Sequence, residues 1–295
     1  MNGPSGIGYP LIALHIACAA AAAPESWGPV AGAAAGLVYL IFVWAVSGLY
    51  VAHMLHMGLA HRALEFKSWF LKLVTVTNSV AAIYVDPRDW VNRHRNHHAF
   101  SDQPSDPSKR PGDGFWRTLW LCLAPYRCRS DMAPDAIFRT PLFRLVCHPL
   151  AGWIGHSASF LLLWLVVRDG FFALVLWTGA RLAGLWVNMI QNYWAHDRRF
   201  GTRRYDDTED DSVNVTAWLP VTATFSACLQ NNHHRHARYA RMSHEPHQYD
   251  FGWTTLRWMA ALGLARVLPE GAEAPAGVSP SLPAMGSLES CSRNS

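Results

Sequence analysis

Four long apolar stretches, separated by polar turns, dominate the hydropathy pattern of the chain. They cover residues 7–23, 29–52, 146–167 and 170–190. A helix needs roughly 20 apolar residues to cross a bilayer, so each stretch is predicted to be a membrane-spanning helix. Residues 168–170 are the whole connection between the last two stretches, which predicts an antiparallel helical hairpin.

Other segments give weaker patterns. Residues 69–85 are less apolar and contain Lys72, which predicts a shallow or re-entrant helix. The second span is expected to continue past the membrane into VAHMLHMGLAHR. The chain after about residue 268 is rich in Pro, Ser, Gly and Ala, so residues 269–295 are predicted to be a disordered tail. The start of the chain lacks a basic n-region, so the first apolar stretch is expected to be retained.

Basic residues are distributed unevenly, and this predicts an orientation. Of 25 Lys and Arg, 13 lie in residues 61–147 and 10 lie after residue 190. The predicted outer loops, 24–28 and 168–170, carry one basic residue between them. Because cytosolic loops carry the excess of Lys and Arg, both termini and the large central loop are predicted to be cytosolic.

Composition supports a membrane protein and excludes several other classes. Hydrophobic residues make up 51% of the chain and charged residues 16%, where about 25% charged is usual for soluble domains. A net charge of +4 is too small to indicate nucleic-acid binding. The six cysteines form no CxxC pair, so neither a disulfide framework nor a thiolate metal site is predicted.

Histidine is the residue type that indicates chemistry. Eight of the 15 histidines fall into four groups on the predicted cytosolic side. The groups are His56 with His61, then His94, His97 and His98, then His196, and finally His233 with His234. Imidazole is a ligand for Zn, Cu, Fe and Ni. Eight imidazoles exceed what one tetrahedral zinc ion takes, so two metal ions are predicted.

The spacing within these groups supports a shared site. An HxxHH run places three imidazoles on one helix face, and Gln230 extends the same spacing to His233 and His234. Asn192 lies four residues before His196. His56 and His61 are five residues apart, about 140° around an ideal helix. They therefore require a distorted turn, or they bind different metals.

Four motifs together resemble the membrane fatty-acid desaturase family, in particular its acyl-CoA Δ9-type branch. They are HMGLAHR, HRNHHAFSDQPSDP, NYWAHDRRFGTRRYDDTEDDSVN and QNNHHRHARYAR, and the resemblance runs from about residue 50 to 266. The resemblance implies an all-α integral membrane fold in a single domain, residues 1–268. Four transmembrane helices are expected to lie under a cytosolic helical cap that holds a histidine-rich di-metal site.

The resemblance also assigns roles to residues. The eight histidines would bind the metals, with Asn192 acting through water, and Gln230 stands where animal enzymes have histidine. The remaining ligand would be missing, bridged by water, or supplied by His236, His244 or His247, which are expected to be surface or supporting residues. Trp90, Arg93 and Arg95 would contact substrate, with Arg203 and Arg204 as further headgroup candidates. Asp102, Asp106 and Asp211 are candidates, by sequence proximity, for orienting the imidazoles.

The implied activity is an O2-dependent acyl desaturase that uses two Fe²⁺ ions and two electrons to form a cis double bond. No residue beyond the metal centre is expected to be catalytic. The substrate would be acyl-CoA or another acyl lipid. No HPGG-like haem motif occurs, so electrons would come from a separate ferredoxin, cytochrome b5-like protein or reductase. The expected location is the bacterial inner membrane, with the active site cytosolic.

Two alternatives stay open at this stage. A membrane di-iron hydroxylase or acetylenase uses the same ligands and differs only in its product. A histidine-rich metal transporter would place histidines and acidic groups within the spans, whereas the clusters here lie outside them.

Overall fold

The first half of the membrane region is a pair of apolar helices. The computed structural model describes residues 3–124 and 131–269. Helix α1 is Pro4–Ala22, and α2 is Gly28–Gly48. Helix α2 runs directly into a π-helical segment, Leu49–Ala60, so the predicted continuation of the second span is confirmed.

The second half is the predicted hairpin, formed by α7 (Ala151–Val167) and α8 (Gly170–Asn192), which pack against each other. Arg168 ends α7 in the left-handed region with φ 59°. The Asp169 side chain then accepts a hydrogen bond from the Phe172 amide at 2.8 Å. This cap satisfies one of the free amides at the start of α8, so the short connection suffices to reverse the chain.

Three helices are long and apolar enough to cross a membrane, which makes this a membrane protein. They are Pro4–Ala22, Gly28–Ala60 and Gly170–His196. Helix α7 is apolar, but its 17 residues make it shorter than those three. The predicted span 146–167 began too early, because α6 ends at Val146 and a turn containing Pro149 separates it from α7. Four spans therefore stay a prediction.

Short helices make up most of the rest of the described chain. They are α3 (Ser68–Ala81), α4 (Pro87–Phe100), α5 (Phe115–Leu123), α6 (Pro141–Val146), α9 (Trp218–Ala223), α10 (Gln230–Arg235) and α11 (Phe251–Ala261), with 3₁₀ turns at Ala136–Arg139 and Trp194–His196. The fold is mostly helical but not entirely so. Strand β1 (Leu64–Phe66) pairs antiparallel with β2 (Ala265–Val267), with Leu64 opposite Val267. The predicted disordered tail lies outside the described residues, apart from its first residue.

Helix α3 confirms that residues 69–85 contain a helix, although it ends earlier than predicted. It packs against α7 and α2. The Asn78 side chain donates to the Ile83 carbonyl at 2.8 Å, which holds the chain in a turn after Ala81. Trp69 and Leu73 are exposed on its other face. How deep α3 lies in a membrane stays a prediction.

Small residues allow α1 and α2 to lie close together. A Cβ atom added to Gly32 would lie 2.4 Å from the Ala23 Cβ and 2.7 Å from the Ala19 carbonyl oxygen. Membrane helices use such small residues because lipid provides no hydrophobic force to hold helices together, so close packing must do it.

We expect Gly32→Leu to separate α1 from α2 and to destabilise the protein by about 1–3 kcal/mol, the usual cost of overpacking. The measurement is the thermal unfolding midpoint in detergent micelles. Ala34→Leu is the matched control, since Ala34 is exposed on the same helix. Equal midpoints for the two variants would contradict the close packing.

Candidate metal centre

The π-helical segment solves the spacing problem of His56 and His61. A π-helix joins residues five apart by hydrogen bonds, and here the His61 amide donates to the His56 carbonyl at 3.0 Å. The two ring centroids are 4.9 Å apart. The distorted turn that the spacing required is therefore present.

Helix α4 presents the HxxHH run. Asp86 caps it by accepting hydrogen bonds from the amides of Arg88 and Asp89 at 2.9 and 3.0 Å. Pro87 occupies the first helical position, where its lack of a backbone N–H leaves no unpaired donor. This start fixes the helix, which packs against the π-helical segment and carries His94 and His98 towards His56 and His61.

Five histidines form one group, which we call the five-histidine group. Its members are His56, His61, His94, His98 and His233, and one ring nitrogen of each lies within 4.8 Å of the others. The Nε2 atoms of His61 and His94 are 2.8 Å apart. The Nε2 atom of His233 lies 2.9 Å from that of His56 and 3.0 Å from that of His98. All five imidazoles therefore direct the same ring atom, Nε2, at one place.

His97, His196 and His234 form a second group, the three-histidine group. Each donates a hydrogen bond from Nδ1 to a buried carboxylate. The pairs are His97 with Asp106 at 2.9 Å, His196 with Asp102 at 2.8 Å, and His234 with Asp210 at 2.6 Å. This pairing fixes the tautomer and directs the Nε2 lone pair at a metal.

The two groups adjoin each other, and each offers its own set of ring nitrogens to a metal ion. The rings of His98 and His234, one from each group, have centroids 4.5 Å apart. In the three-histidine group, the Nε2 atoms of His196 and His234 are buried and have no hydrogen-bond partner among the described residues. Buried polar atoms without partners are rare, and a metal ion satisfies them. The donor set therefore fits a dinuclear centre.

The two groups differ in their electrostatics. Burial, and next the neighbouring imidazoles, hold the pKa of His61, His94, His98 and His233 well below its usual range. Burial alone would raise the pKa of Asp106 and Asp210, but the partner histidines outweigh it and lower both. In the three-histidine group, burial lowers the pKa of His234 to about 4, whereas burial of His97 is outweighed by Asp106, which raises the pKa of His97. Neutral imidazoles bind metal without first losing protons, and His97 would release a proton on binding.

Gln230 and Asn192 differ in how well their positions suit a ligand. Gln230 is buried, and its Nε2 donates to the Ala227 carbonyl at 2.8 Å. Its Oε1 has no partner within the described ranges, so the oxygen is available to a metal or a bound water. The Asn192 amide nitrogen instead donates to the carbonyl and side chain of Asn188. Metal ligation by either residue stays a prediction.

The other nearby histidines lie elsewhere. His53 bonds to the Thr255 hydroxyl at 2.8 Å, and His244 lies 3.2 Å from the Tyr205 hydroxyl. The rings of His236 and His244 lie edge to face, while the exposed His247 pairs with a neighbouring glutamate. None of them belongs to either histidine group, so the described part of the chain offers no ninth imidazole.

The predicted substrate residues lie around α4. Trp90 stacks on His94 with centroids 4.9 Å apart, so it borders the five-histidine group. Arg93 donates to the carbonyls of Leu121 and Ala124.

The hydrogen bonds of Arg95 are made within the protein. All five of its N–H groups donate, to the carbonyls of Leu59, Ala60 and Met132 and to both carboxylate oxygens of Asp135. Arg203 likewise donates to backbone carbonyls of its own loop. Arg204 donates to the carbonyl of His244. Contact of these residues with substrate stays a prediction.

The choice of Asp211 as an orienting carboxylate was wrong, and Asp210 was missed. The Asp211 side chain is half-exposed and pairs with Arg198 at 2.9 Å. Asp210 is buried, bonds to His234, and also accepts from the Ser212 hydroxyl at 2.6 Å. Both lie in one acidic run, so sequence proximity gave no way to choose between them.

The fold and the site define a mostly helical membrane protein with two adjoining histidine groups that could hold metal ions. The family model for fatty acid desaturase matches residues 25–257. The chain is 32% identical over 230 residues to Delta-9 acyl-lipid desaturase 2 of Arabidopsis thaliana, covering 75% of this chain and 71% of that protein.

A second relative covers more of the chain. The sn-1 stearoyl-lipid 9-desaturase of Anabaena variabilis is 29% identical over 262 residues, 86% of this chain and 89% of the relative. The chain belongs to the fatty acid desaturase family, which confirms the expected resemblance. It is accordingly a fatty-acyl desaturase, an oxidoreductase.

We expect Asp210→Asn to weaken metal binding about 10–100-fold, the usual effect of losing a carboxylate that orients a ligand histidine. Iron retained after equilibration against a graded series of chelator concentrations measures this. Asp211→Asn is the control, since it removes the adjacent carboxylate without touching a histidine. Equal iron retention by the two variants would show that Asp210 does not act through His234.

Proposed function

We propose that the protein introduces a cis double bond into the acyl chain of a membrane lipid, using O2, two electrons and two iron ions. The observation that carries this proposal is the adjoining pair of histidine groups, eight imidazoles on four segments. A single structural zinc site uses four ligands and would leave half of these unexplained. When bound, the two irons supply the O2-dependent removal of hydrogen atoms from neighbouring carbons.

The ligand assignment proposed for this chemistry follows the two groups. One iron would be held by the five-histidine group and the other by the three-histidine group. The carbonyl oxygen of Gln230 would complete a coordination sphere directly or through water, because it is buried without a partner in the described chain. Asn192 would act at most through a water molecule.

The protein's own residues would hold and isolate the reacting carbons. Trp90 stacks on His94 and so fixes one wall beside the metals. Asp102, Asp106 and Asp210 keep three imidazoles in one orientation throughout the reaction. Fixed ligands limit reorganisation when O2 and electrons arrive, which is how a protein tunes metal chemistry.

Several observations favour an acyl lipid over acyl-CoA as the substrate. The two relatives described above are named as acyl-lipid and stearoyl-lipid desaturases. The donors of Arg95 are all occupied within the protein, so Arg95 has none left for a CoA phosphate. Position 9 of the chain is the proposed site of the double bond, following the names of these relatives.

The proposed setting is a bacterial inner membrane. Four spans would lie below a helical cap, with both termini and the metal centre on the cytosolic side. Electrons would come from a separate carrier such as a ferredoxin or a cytochrome b5-like protein. The excess of Lys and Arg in residues 61–147 and after residue 190 supports this orientation.

Expression in a host that lacks its own desaturase, followed by mass spectrometry of fatty-acid methyl esters, tests the proposed reaction. We expect monounsaturated product from the parent chain. The His233→Ala variant should form more than about 100-fold less product. Loss of a metal ligand weakens metal binding more than loss of a residue that only orients a ligand.

His236→Ala is the matched control, because this nearby histidine lies outside both groups and should retain activity. To identify the substrate class, the lipids are separated by headgroup before analysis. The fraction that contains the unsaturated product identifies the class. Hydroxylated product, or no O2-dependent product from an iron-loaded protein, would contradict desaturation.

A further inference from the structure

A polar crevice connects the protein surface with both histidine groups. Its volume is about 390 Å³, and its lining includes His98 from the five-histidine group and His234 from the three-histidine group. Gln103, Asp207 and Glu209 also line it and are exposed at the surface. The crevice therefore spans the distance from bulk water to one ligand of each metal.

The crevice carries an excess of negative charge. Its lining contains three carboxylates, from Asp207, Glu209 and Asp210, and one guanidinium, from Arg235. Arg235 pairs with Asp207 at 3.0 Å. Glu209 makes no ion pair with any described residue, so its charge is uncompensated at the mouth. The Asp210 carboxylate also lies 3.8 Å from the Arg203 guanidinium, so Glu209 supplies the excess charge. An excess of one sign of charge in a cleft concentrates counter-ions.

The inner end of the crevice is built to receive a cation. The His234 side chain is only 4% exposed, and its Nε2 atom is buried without a partner in the described ranges. Asp210, also in the lining, fixes that ring through its Nδ1. The lining thus combines exposed carboxylates at the mouth with a buried imidazole and its carboxylate partner at the inner end.

Five of the eight histidines are buried, and His94, His98 and His234 have intermediate exposure as whole residues, although the His234 ring itself is buried. The crevice lining includes His98 and His234 but not His94. An apolar acyl chain in this crevice would remove water from the carboxylates without replacing their hydrogen bonds, which is unfavourable. The crevice therefore suits a hydrated divalent cation, not the lipid substrate.

We propose that this crevice is the route by which Fe²⁺ enters the metal-free protein from water, with Glu209 attracting the ion and Asp210 and His234 receiving it. This inference rests on the proposed function, because it assumes an iron centre. It assigns to the acidic run a role separate from ligation and catalysis.

Timed uptake of Fe²⁺ by the metal-free protein, under anaerobic conditions and quenched with chelator, tests the route. We expect Glu209→Lys to slow uptake about tenfold, since the steering field of a cleft is worth about 10–10³ in rate. Gln103→Trp should also slow it, by narrowing the crevice. Glu65→Lys is the control, since Glu65 is an exposed acid outside the crevice lining.

The final iron content at equilibrium separates entry from binding. All variants should reach the iron content of the parent chain, which also shows that they fold.

The salt dependence of the uptake rate tests the attraction directly. Raising salt from about 0.01 M to about 0.15 M shortens the Debye length from about 30 Å to about 8 Å. This should slow iron uptake by the parent chain more than uptake by Glu209→Lys. Parental uptake rates in both crevice variants would overturn the route. A parent chain that binds no iron would instead overturn the proposed metal centre.

Discussion

The whole structure depends on holding eight imidazoles side by side in a buried space. Rings as close as those of His56 and His233, with centroids 4.4 Å apart, have no room to adjust individually. Their positions must therefore be set by the backbone segments that carry them and by the carboxylates behind them. Asp102, Asp106 and Asp210 do this for one group by fixing Nδ1, so that Nε2 is left for a metal.

The π-helical segment follows from the same constraint. An α-helix would turn His56 and His61 about 140° apart, whereas hydrogen bonds between residues five apart bring both rings to one side. The last backbone carbonyls of such a segment have no hydrogen-bond donor within the helix. Arg95 donates to two of them, those of Leu59 and Ala60. An arginine that the motif alone suggested for substrate binding thus supports the metal ligands, and a local departure from ideal helix occurs where function requires it.

The loop after α8 combines several tasks in a few residues. Thr202 pairs with Asn214, and Asn214 pairs with Leu229, which joins the acidic run to α10 and its histidines. One carboxylate of that run, Asp210, fixes His234, while its exposed neighbours line the crevice. Neighbouring acids of similar chemistry therefore act differently because one faces inward and the others face water.

Local pattern was enough to predict the apolar helices, the hairpin turn at Arg168 and the grouping of the histidines, because each depends on residues close in sequence. It also indicated that His56 and His61 needed a distorted helix. Contacts between distant segments could not be read in this way. Asp102 reaches His196 across 94 residues, and the choice of Asp210 over Asp211 depends on which side of a loop faces α10. The division of the eight histidines into five and three was likewise decided by tertiary structure, because ligands from four segments meet only when the helices pack.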